Sequence, residues 1–296
     1  MRFIIIGMTK ARFWHIDAAG VIECGLCPRR CRLDDGGRGF CRVRRRDGDE
    51  LVSDSYGRVC AVAVDPIEKK PLRHFMPGSR VFSIGTVGCN LGCKFCQNYT
   101  LSRGEPGAGD YLSPQQVVAL AQGNGCASVA FTYNDPIVFC EYAIDCANAC
   151  HAAGLKTVAV TNGWMEAEAA RQLFAVMDAA NVDLKAFSDD FYRRLCGGSL
   201  QPVLDNLVAV RRSGRTWLEC TTLLIPGYND SSAELEAMTR WIVANLGSDV
   251  PWHFSAYHPV PVWSEAPATP LESLLRAQRI GQKNGMQHIY LGNVRI

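Results

Sequence analysis

The sequence predicts an α/β fold, a partial (β/α)6-type TIM barrel that carries a small N-terminal cysteine-rich metal module. Three observations predict it. From residue 81 onward, short apolar or β-branched runs alternate with helical stretches, the pattern that builds parallel strand–helix units. Residues 20–48 are instead crowded with cysteine, arginine and glycine, and show little helical or strand periodicity. Finally, 296 residues with 48% hydrophobic content can bury a sizeable core, and neither a second hydrophobic domain nor a low-complexity linker interrupts them.

The chain divides into residues 1–78, the cysteine-rich module and its connector, and residues 79–296, the barrel. In the connector, residues 59–64 form a plausible strand, and Pro66, Pro71 and Pro77 punctuate the segment from there to the barrel. The barrel's units are strand 81–86 with helix 114–122, strand 128–132 with helix 136–152, and strand 157–161 with helix 165–178. Next come strand 182–186 with helical pieces to about residue 212, strand 217–224 with helix 232–246, strand 252–257 with helix 271–284, and strand 288–291. Six or seven such units suggest a barrel or partial barrel, whose chemistry gathers at the strands' C-terminal ends.

Composition excludes some function classes. Lys and Arg number 31 against 29 Asp and Glu, a net charge of +2, so no global field concentrates nucleic acid or anionic membrane. The run Phe3, Ile4, Ile5, Ile6 stops at Gly7, too short for a signal-peptide core or a membrane span. A cytoplasmic protein without membrane contact is expected.

Fourteen cysteines in a reducing compartment point to metal or redox roles rather than disulfides. Seven fall in two clusters. Cys89, Cys93 and Cys96 follow the first barrel strand with C-x3-C-x2-C spacing, flanked by Gly88 and Gly92 that let the backbone wrap tightly. Three thiolates are one fewer than the four that saturate a cubane cluster, so one iron would stay open. A zinc loop with a distant fourth ligand, or reduced cysteines in a core, are the plainer alternatives. Cys24, Cys27, Cys31 and Cys41 supply four thiolates, which close either a structural zinc site or an auxiliary [4Fe–4S] cluster; spacing does not choose between them. Eight arginines against two aspartates between Arg29 and Arg46 form a basic face, read as solvated surface or as a dock for an acidic partner or nucleic acid. Few aromatics interleave with them, which weighs against single-stranded nucleic acid.

The triad, with Phe95 before its last cysteine, is similar to the signature of the radical S-adenosylmethionine (SAM) superfamily. The match extends along the chain: Asp-Pro-Ile-Glu-Lys-Lys-Pro-Leu at 65–72, Phe-Thr-Tyr-Asn-Asp-Pro at 131–136, Thr-Asn-Gly at 161–163, Asp-Leu-Lys at 183–185, Leu-Cys-Gly-Gly at 195–198 and Ile-Pro-Gly-Tyr-Asn-Asp at 225–230. These segments resemble the AmmeMemoRadiSam-system radical enzymes, which are similar to the activating enzymes of glycyl-radical enzymes such as the pyruvate formate-lyase activase. The resemblance implies a [4Fe–4S] cluster on Cys89, Cys93 and Cys96 as the catalytic centre, with SAM chelated to its open iron. It implies reductive cleavage of SAM to methionine and a 5′-deoxyadenosyl radical, which abstracts hydrogen from an unidentified substrate. An electron donor such as flavodoxin or ferredoxin, and a protein or peptide substrate, go with that chemistry. The alternatives are an activase that installs a glycyl radical on a partner protein and, from another class, a metal-stabilised nucleic-acid-binding module without radical activity.

The resemblance also names cofactor contacts. Asn134 and Asp135 occupy the place of the superfamily's Gly-Gly-Glu segment, which receives the methionine amino group, although Asp before Pro is equally an N-cap. Asn162 ends the third strand, where it would contact ribose or carboxylate. Val160 stands where the activases commonly have an Asp that helps to bind a monovalent cation. Asp183 and Lys185, two apart and so on one face of a strand, match a pair the activases use near the cofactor. Glu219 and Thr221 share a face of the fifth strand. His258 matches the activases' cofactor-side histidine, and Cys196 is a candidate hydrogen donor or radical relay. The other scattered cysteines are expected to pack.

Overall fold

A computed structural model describes residues 9–294; the apolar run at Phe3 to Ile6 lies outside them. Its centre is one eight-stranded sheet of β1 (Ala61–Pro66), β2 (Arg80–Gly85), β3 (Ser128–Phe131), β4 (Lys156–Thr161), β5 (Ala179–Asp183), β6 (Trp217–Leu224), β7 (Trp252–Ala256) and β8 (Ile289–Gly292). These strands stand in sequence order. β2 to β8 run parallel, and β1 is antiparallel to β2. The crossovers hold α1 (Pro114–Gly123), α2 (Cys140–Ala152), α3 (Ala167–Phe174), α4 (Gln201–Ser213), α5 (Ser232–Asn245) and α6 (Leu271–Lys283). The fold is thus the α/β partial barrel expected from the alternation.

Local chemistry explains the boundaries. α1 starts with a capping box, in which the Ser113 hydroxyl accepts from the Gln116 N–H at 3.2 Å and the Gln116 side chain accepts from the Ser113 N–H at 2.8 Å. Pro114 fills the first helical position, where its missing N–H costs nothing. α4 stops where Gly214 turns left-handed, with φ of 62°. β3 is buried along its whole length, as strands of a covered parallel sheet are.

Among the described residues the edge strands β1 and β8 do not pair, so the barrel is open on one side. At the strands' N-terminal end, the chain from Pro71 to His74 crosses the interior. Glu219, fully buried on β6, accepts from the Arg73 N–H at 2.9 Å and the His74 N–H at 2.8 Å, and faces His253 Nε2 at 2.8 Å. Burial raises the Glu219 pKa, but these donors outweigh it and hold the carboxyl below its ordinary range. Asn181 donates to the Pro71 carbonyl at 2.8 Å, and His74 meets the Tyr290 hydroxyl at 2.7 Å. This end of the barrel is filled by structure, which leaves the other end for chemistry.

The N-terminal region differs from its expectation in two respects. Residues 20–48 are not loop alone: Trp14–Ile16, Ile22–Cys24 and Arg32–Leu33 form one antiparallel sheet, and Thr9–Lys10, Glu50–Ser53 and Arg44–Asp47 form another. Strands of two to four residues are too short to show alternation. Nor is the arginine segment an open basic face. Arg30 pairs with Glu166, Arg32 with Asp17, Arg38 with Asp54, Arg42 with Glu105 and Arg44 with Glu141, while Arg45 and Arg46 also lie beside aspartates. Among the described residues Arg29 alone of the eight has no carboxylate partner. β1, which lies in the connector, belongs to the barrel's sheet, and one hydrophobic core runs through both segments.

Candidate active site

The three-cysteine loop leaves β2 over a tight junction. Gly88 has φ of +91°, and a Cβ there would lie 2.5 Å from the Cys41 carbonyl oxygen, so only glycine fits. The Asn134 side chain holds this junction. Its Oδ1 accepts from the Thr86 N–H at 3.0 Å, and its Nδ2 donates to the Thr86 hydroxyl and to the carbonyls of Val87 and Gly88 at 3.0, 3.2 and 2.9 Å. The loop's far side is clamped by Gly92 N–H to the Cys196 carbonyl at 2.8 Å and Lys94 N–H to the Leu195 carbonyl at 2.9 Å. Phe95, buried, packs against Phe191 and Trp263 with ring centroids 5.6 and 6.2 Å away.

Cys89, Cys93 and Cys96 line one cavity of about 280 Å³ at the C-terminal ends of the strands. Asn134, Asp135, Asn162, Asp183 and Lys185 line the same cavity, so five of the six expected cofactor contacts share it with the triad. His258 does not. Its ring is exposed and meets the Asn293 carbonyl at 3.1 Å, while Gln97 and Asn293 stand on the wall instead; the residue beyond β7 has already left the strand's inward direction.

Geometry refines the roles of the others. The Asn134 amide is spent on the loop, which leaves no side-chain N–H for a ligand. Asp135 caps the next turn: it accepts from the Ile137 N–H at 3.1 Å, and it ties β3 to β4 by accepting from the Thr161 hydroxyl at 2.9 Å and the Asn162 N–H at 2.7 Å. Burial raises its pKa, and those donors only partly offset the rise. Asn162 Nδ2 donates to the Asn90 side chain at 2.9 Å and lies 3.8 Å from the Cys89 sulfur. Val160 puts an apolar group on the wall where a cation-binding carboxylate was in question. Lys185 Nζ donates to Asp183 Oδ2 at 2.8 Å. Burial opposes the lysine's charge, but Asp183 together with the neighbouring Cys93 and Cys196 sulfurs favours the ammonium on balance.

Two residues on or beside this cavity, Tyr133 and Asn90, carry no sequence signal, and a third, Cys196, stands closer to the triad than its spacing shows. Tyr133 lies between two residues the sequence marks, yet its φ of +71° turns it into the cavity wall, under the Lys70 ammonium 5.1 Å from its ring. Asn90 is buried behind Cys89 and donates to the Trp164 carbonyl. Cys196, weighed as a radical relay, is fully buried with its sulfur against that of Cys93, and this contact, with burial, holds Cys93 well above the ordinary thiol range. No sequence signal marks a contact between thiols so far apart in the chain.

The donor set fits a three-ligand iron–sulfur cluster. The triad's sulfurs face one cavity, with Asn162 beside Cys89 and the Ser102 hydroxyl 3.6 Å from Cys96. Free of a cluster, the thiols of Cys89, pushed up by desolvation, and of Cys93, pushed up by the Cys196 contact and desolvation, stay protonated, so loading displaces protons. A second group, Cys24, Cys27, Cys31 and Cys41, surrounds a small void behind Asn90. All fourteen cysteines are free of disulfides.

Comparison with known proteins agrees with this geometry. Residues 83–242 match the model of the Radical SAM superfamily. An uncharacterized protein of Methanocaldococcus jannaschii, MJ0808, is 36% identical over 97% of this chain and 86% of its own length. The benzylsuccinate synthase activating enzyme of Thauera aromatica is 24% identical over 61% of this chain and 56% of its own. Among solved structures, a radical SAM methyltransferase from Sphaerobacter thermophilus superposes with a TM-score of 0.58 at 16% identity, covering 97% of this chain and 78% of that one. Streptococcus suis SuiB bound to S-adenosylmethionine does so with a TM-score of 0.54 at 17% identity, covering 70% of this chain and 48% of that one. The chain belongs to the radical SAM superfamily, which implies a [4Fe–4S] cluster and S-adenosylmethionine as its cofactors.

Proposed function

We propose that this enzyme cleaves SAM reductively and uses the resulting radical to take a hydrogen atom from a substrate. The observation that carries the reading is the single cavity shared by three cysteines and the C-terminal ends of the barrel strands. When bound, the cluster on Cys89, Cys93 and Cys96 supplies the electron that splits SAM into methionine and a 5′-deoxyadenosyl radical. The protein's own groups do the rest. Asn134 and the Cys196 backbone fix the loop so that its sulfurs face inward. Asp183 and Lys185 offer a carboxylate and an ammonium on the wall, suited to the amino and carboxylate groups of the methionine moiety. Asp135, raised by burial and saturated by donors, aligns β3 with β4.

A flavodoxin or ferredoxin is the proposed electron donor, and the free cysteines support a cytoplasmic setting. No helix among the described residues is long and apolar enough to cross a membrane. Similarity to an activating enzyme and the open side of the barrel favour a protein or peptide substrate, with glycyl-radical installation on a partner protein as the specific second reading. Pairing of the arginines weighs against the nucleic-acid module.

Anaerobic, reduced and iron-loaded protein mixed with SAM is expected to release methionine and 5′-deoxyadenosine. Absence of both after spectroscopic proof of a reduced cluster overturns the reading. A glycyl-radical doublet in the electron paramagnetic resonance (EPR) spectrum of a co-incubated partner supports the activase form; its absence, with deuterium transfer from another substrate into 5′-deoxyadenosine, supports the general one.

A further inference from the structure

We propose that Cys24, Cys27, Cys31 and Cys41 hold a second iron–sulfur cluster rather than zinc, packed directly behind the first. The inference rests on reading the four cysteines as a metal site, and adds which metal and why it lies there.

Backbone N–H donors face the four sulfurs. The Leu26 N–H points to Cys24, the Arg29 N–H to Cys27, the Phe40 N–H to Cys31 at 3.4 Å, and the Val43 and Arg44 N–H groups to Cys41. Arg29 and Arg44 line the void between the sulfurs, and the Nε atom of each is buried without a hydrogen-bond partner. Arg44 is only 1% exposed. Buried guanidinium N–H groups left unpaired beside four thiols fit an anionic thiolate–metal group that is still to be counted.

Size then separates the two candidates. Zinc draws four sulfurs to about 2.3 Å from one point, which brings them into mutual contact and leaves no room for water between them. The void here leaves about 10 Å³ for the centre of a water-sized sphere to occupy, more room than four sulfurs drawn onto one ion would leave. Among the described residues, no three His, Cys, Asp or Glu side chains converge closely enough to share a single ion. That holds for the quartet and equally for the triad, whose ligand is a cluster. Sulfurs that surround a void without converging match a cubane, whose irons and sulfides fill the middle.

Position gives the second cluster a use. The Cys41 carbonyl touches Gly88, the residue before Cys89. Asn90, the residue after Cys89, forms part of the quartet's wall. Arg29, also on that wall, donates to the carbonyls of Asn90, at 3.2 Å, and Gly197. A single layer of backbone therefore separates the two metal groups. One electron from a low-potential one-electron donor reduces the quartet's cluster, passes to the triad's cluster, and leaves the first oxidised again; no atom is transferred.

The test uses the full-length protein with Cys89, Cys93 and Cys96 all replaced by Ser, isolated anaerobically from cells supplied with both iron and zinc. The proposal expects about four iron and four sulfide per chain, as a cubane requires, with a reducible EPR signal. One zinc per chain with no sulfide overturns the cluster and keeps the metal reading; neither metal overturns both. Wild-type protein should hold twice the iron of this variant. In fully reduced wild type, the EPR spectrum should be broadened by coupling between two neighbouring clusters, relative to the sum of the triad variant and the C24S/C27S variant. A spectrum equal to that sum overturns the electron path.

Discussion

The two cysteine groups differ in the way that separates a reactive site from a closed one. Cys89, Cys93 and Cys96 are partly exposed and line a cavity of about 280 Å³. Cys24, Cys27 and Cys41 are buried, with Cys31 partly so, around a void of about 10 Å³. As metal ligands, three cysteines beside open space would leave a position for a substrate, and four around a tight void would leave none. On the proposed reading, the same residue type would supply chemistry in one place and, across a single layer of backbone, structure and electrons in the other.

The sharpest way to break this contrast is to remove one ligand from the open group. Cys93→Ala is expected to abolish SAM cleavage and to halve the bound iron, while the buried group keeps its share; iron analysis and product chromatography read both. Next in size is the ion pair that backs the closed group. Arg44 and Glu141 are 1% and 3% exposed, and removing one partner of such a pair costs about 3–5 kcal/mol because the other charge stays buried. Glu141→Ala should lower unfolding stability by that amount in denaturant titration, and should release metal from the closed group first.

Asn134→Ala tests whether the open group depends on its clamp. Its loss leaves backbone groups at the junction unpaired, at about 1–3 kcal/mol, and should slow cleavage without lowering the iron content. If cleavage is unchanged and only SAM affinity falls, Asn134 contacts the cofactor instead. The smallest effect is expected at Cys196. Its sulfur lies against that of Cys93, so with a cluster on Cys93 its thiol would donate to a ligand sulfur, and such bonds help to set the potential. Removing a bond worth about 1 kcal/mol by Cys196→Ala should lower the open group's potential by roughly 40 mV for one electron. Loss of all turnover with an unshifted potential would instead make Cys196 a radical relay.

How much of the molecule was legible depends on the distance over which each feature is encoded. The triad and the quartet are local patterns, and the strand–helix alternation is local too, so the barrel and both cysteine groups could be read from the chain. Partners are not local. Arg44 and Glu141 lie 97 residues apart, and the Asn134 amide serves a loop 46–48 residues upstream. A basic stretch and a candidate cofactor ligand in the sequence thus became a neutralised scaffold and a loop clamp in the fold. His258 misled for a different reason: it sits two residues past the end of β7, where strand alternation no longer fixes direction. The short N-terminal strands were invisible because two to four residues cannot display a period.

The central claim is that the open group leaves one iron position free for SAM. Its most direct test is the EPR spectrum of the reduced C24S/C27S variant, in which only that group contributes, recorded with and without SAM. The account predicts that SAM changes the spectrum, because a ligand has joined the cluster. An identical spectrum in a sample where equilibrium dialysis shows SAM bound would contradict it.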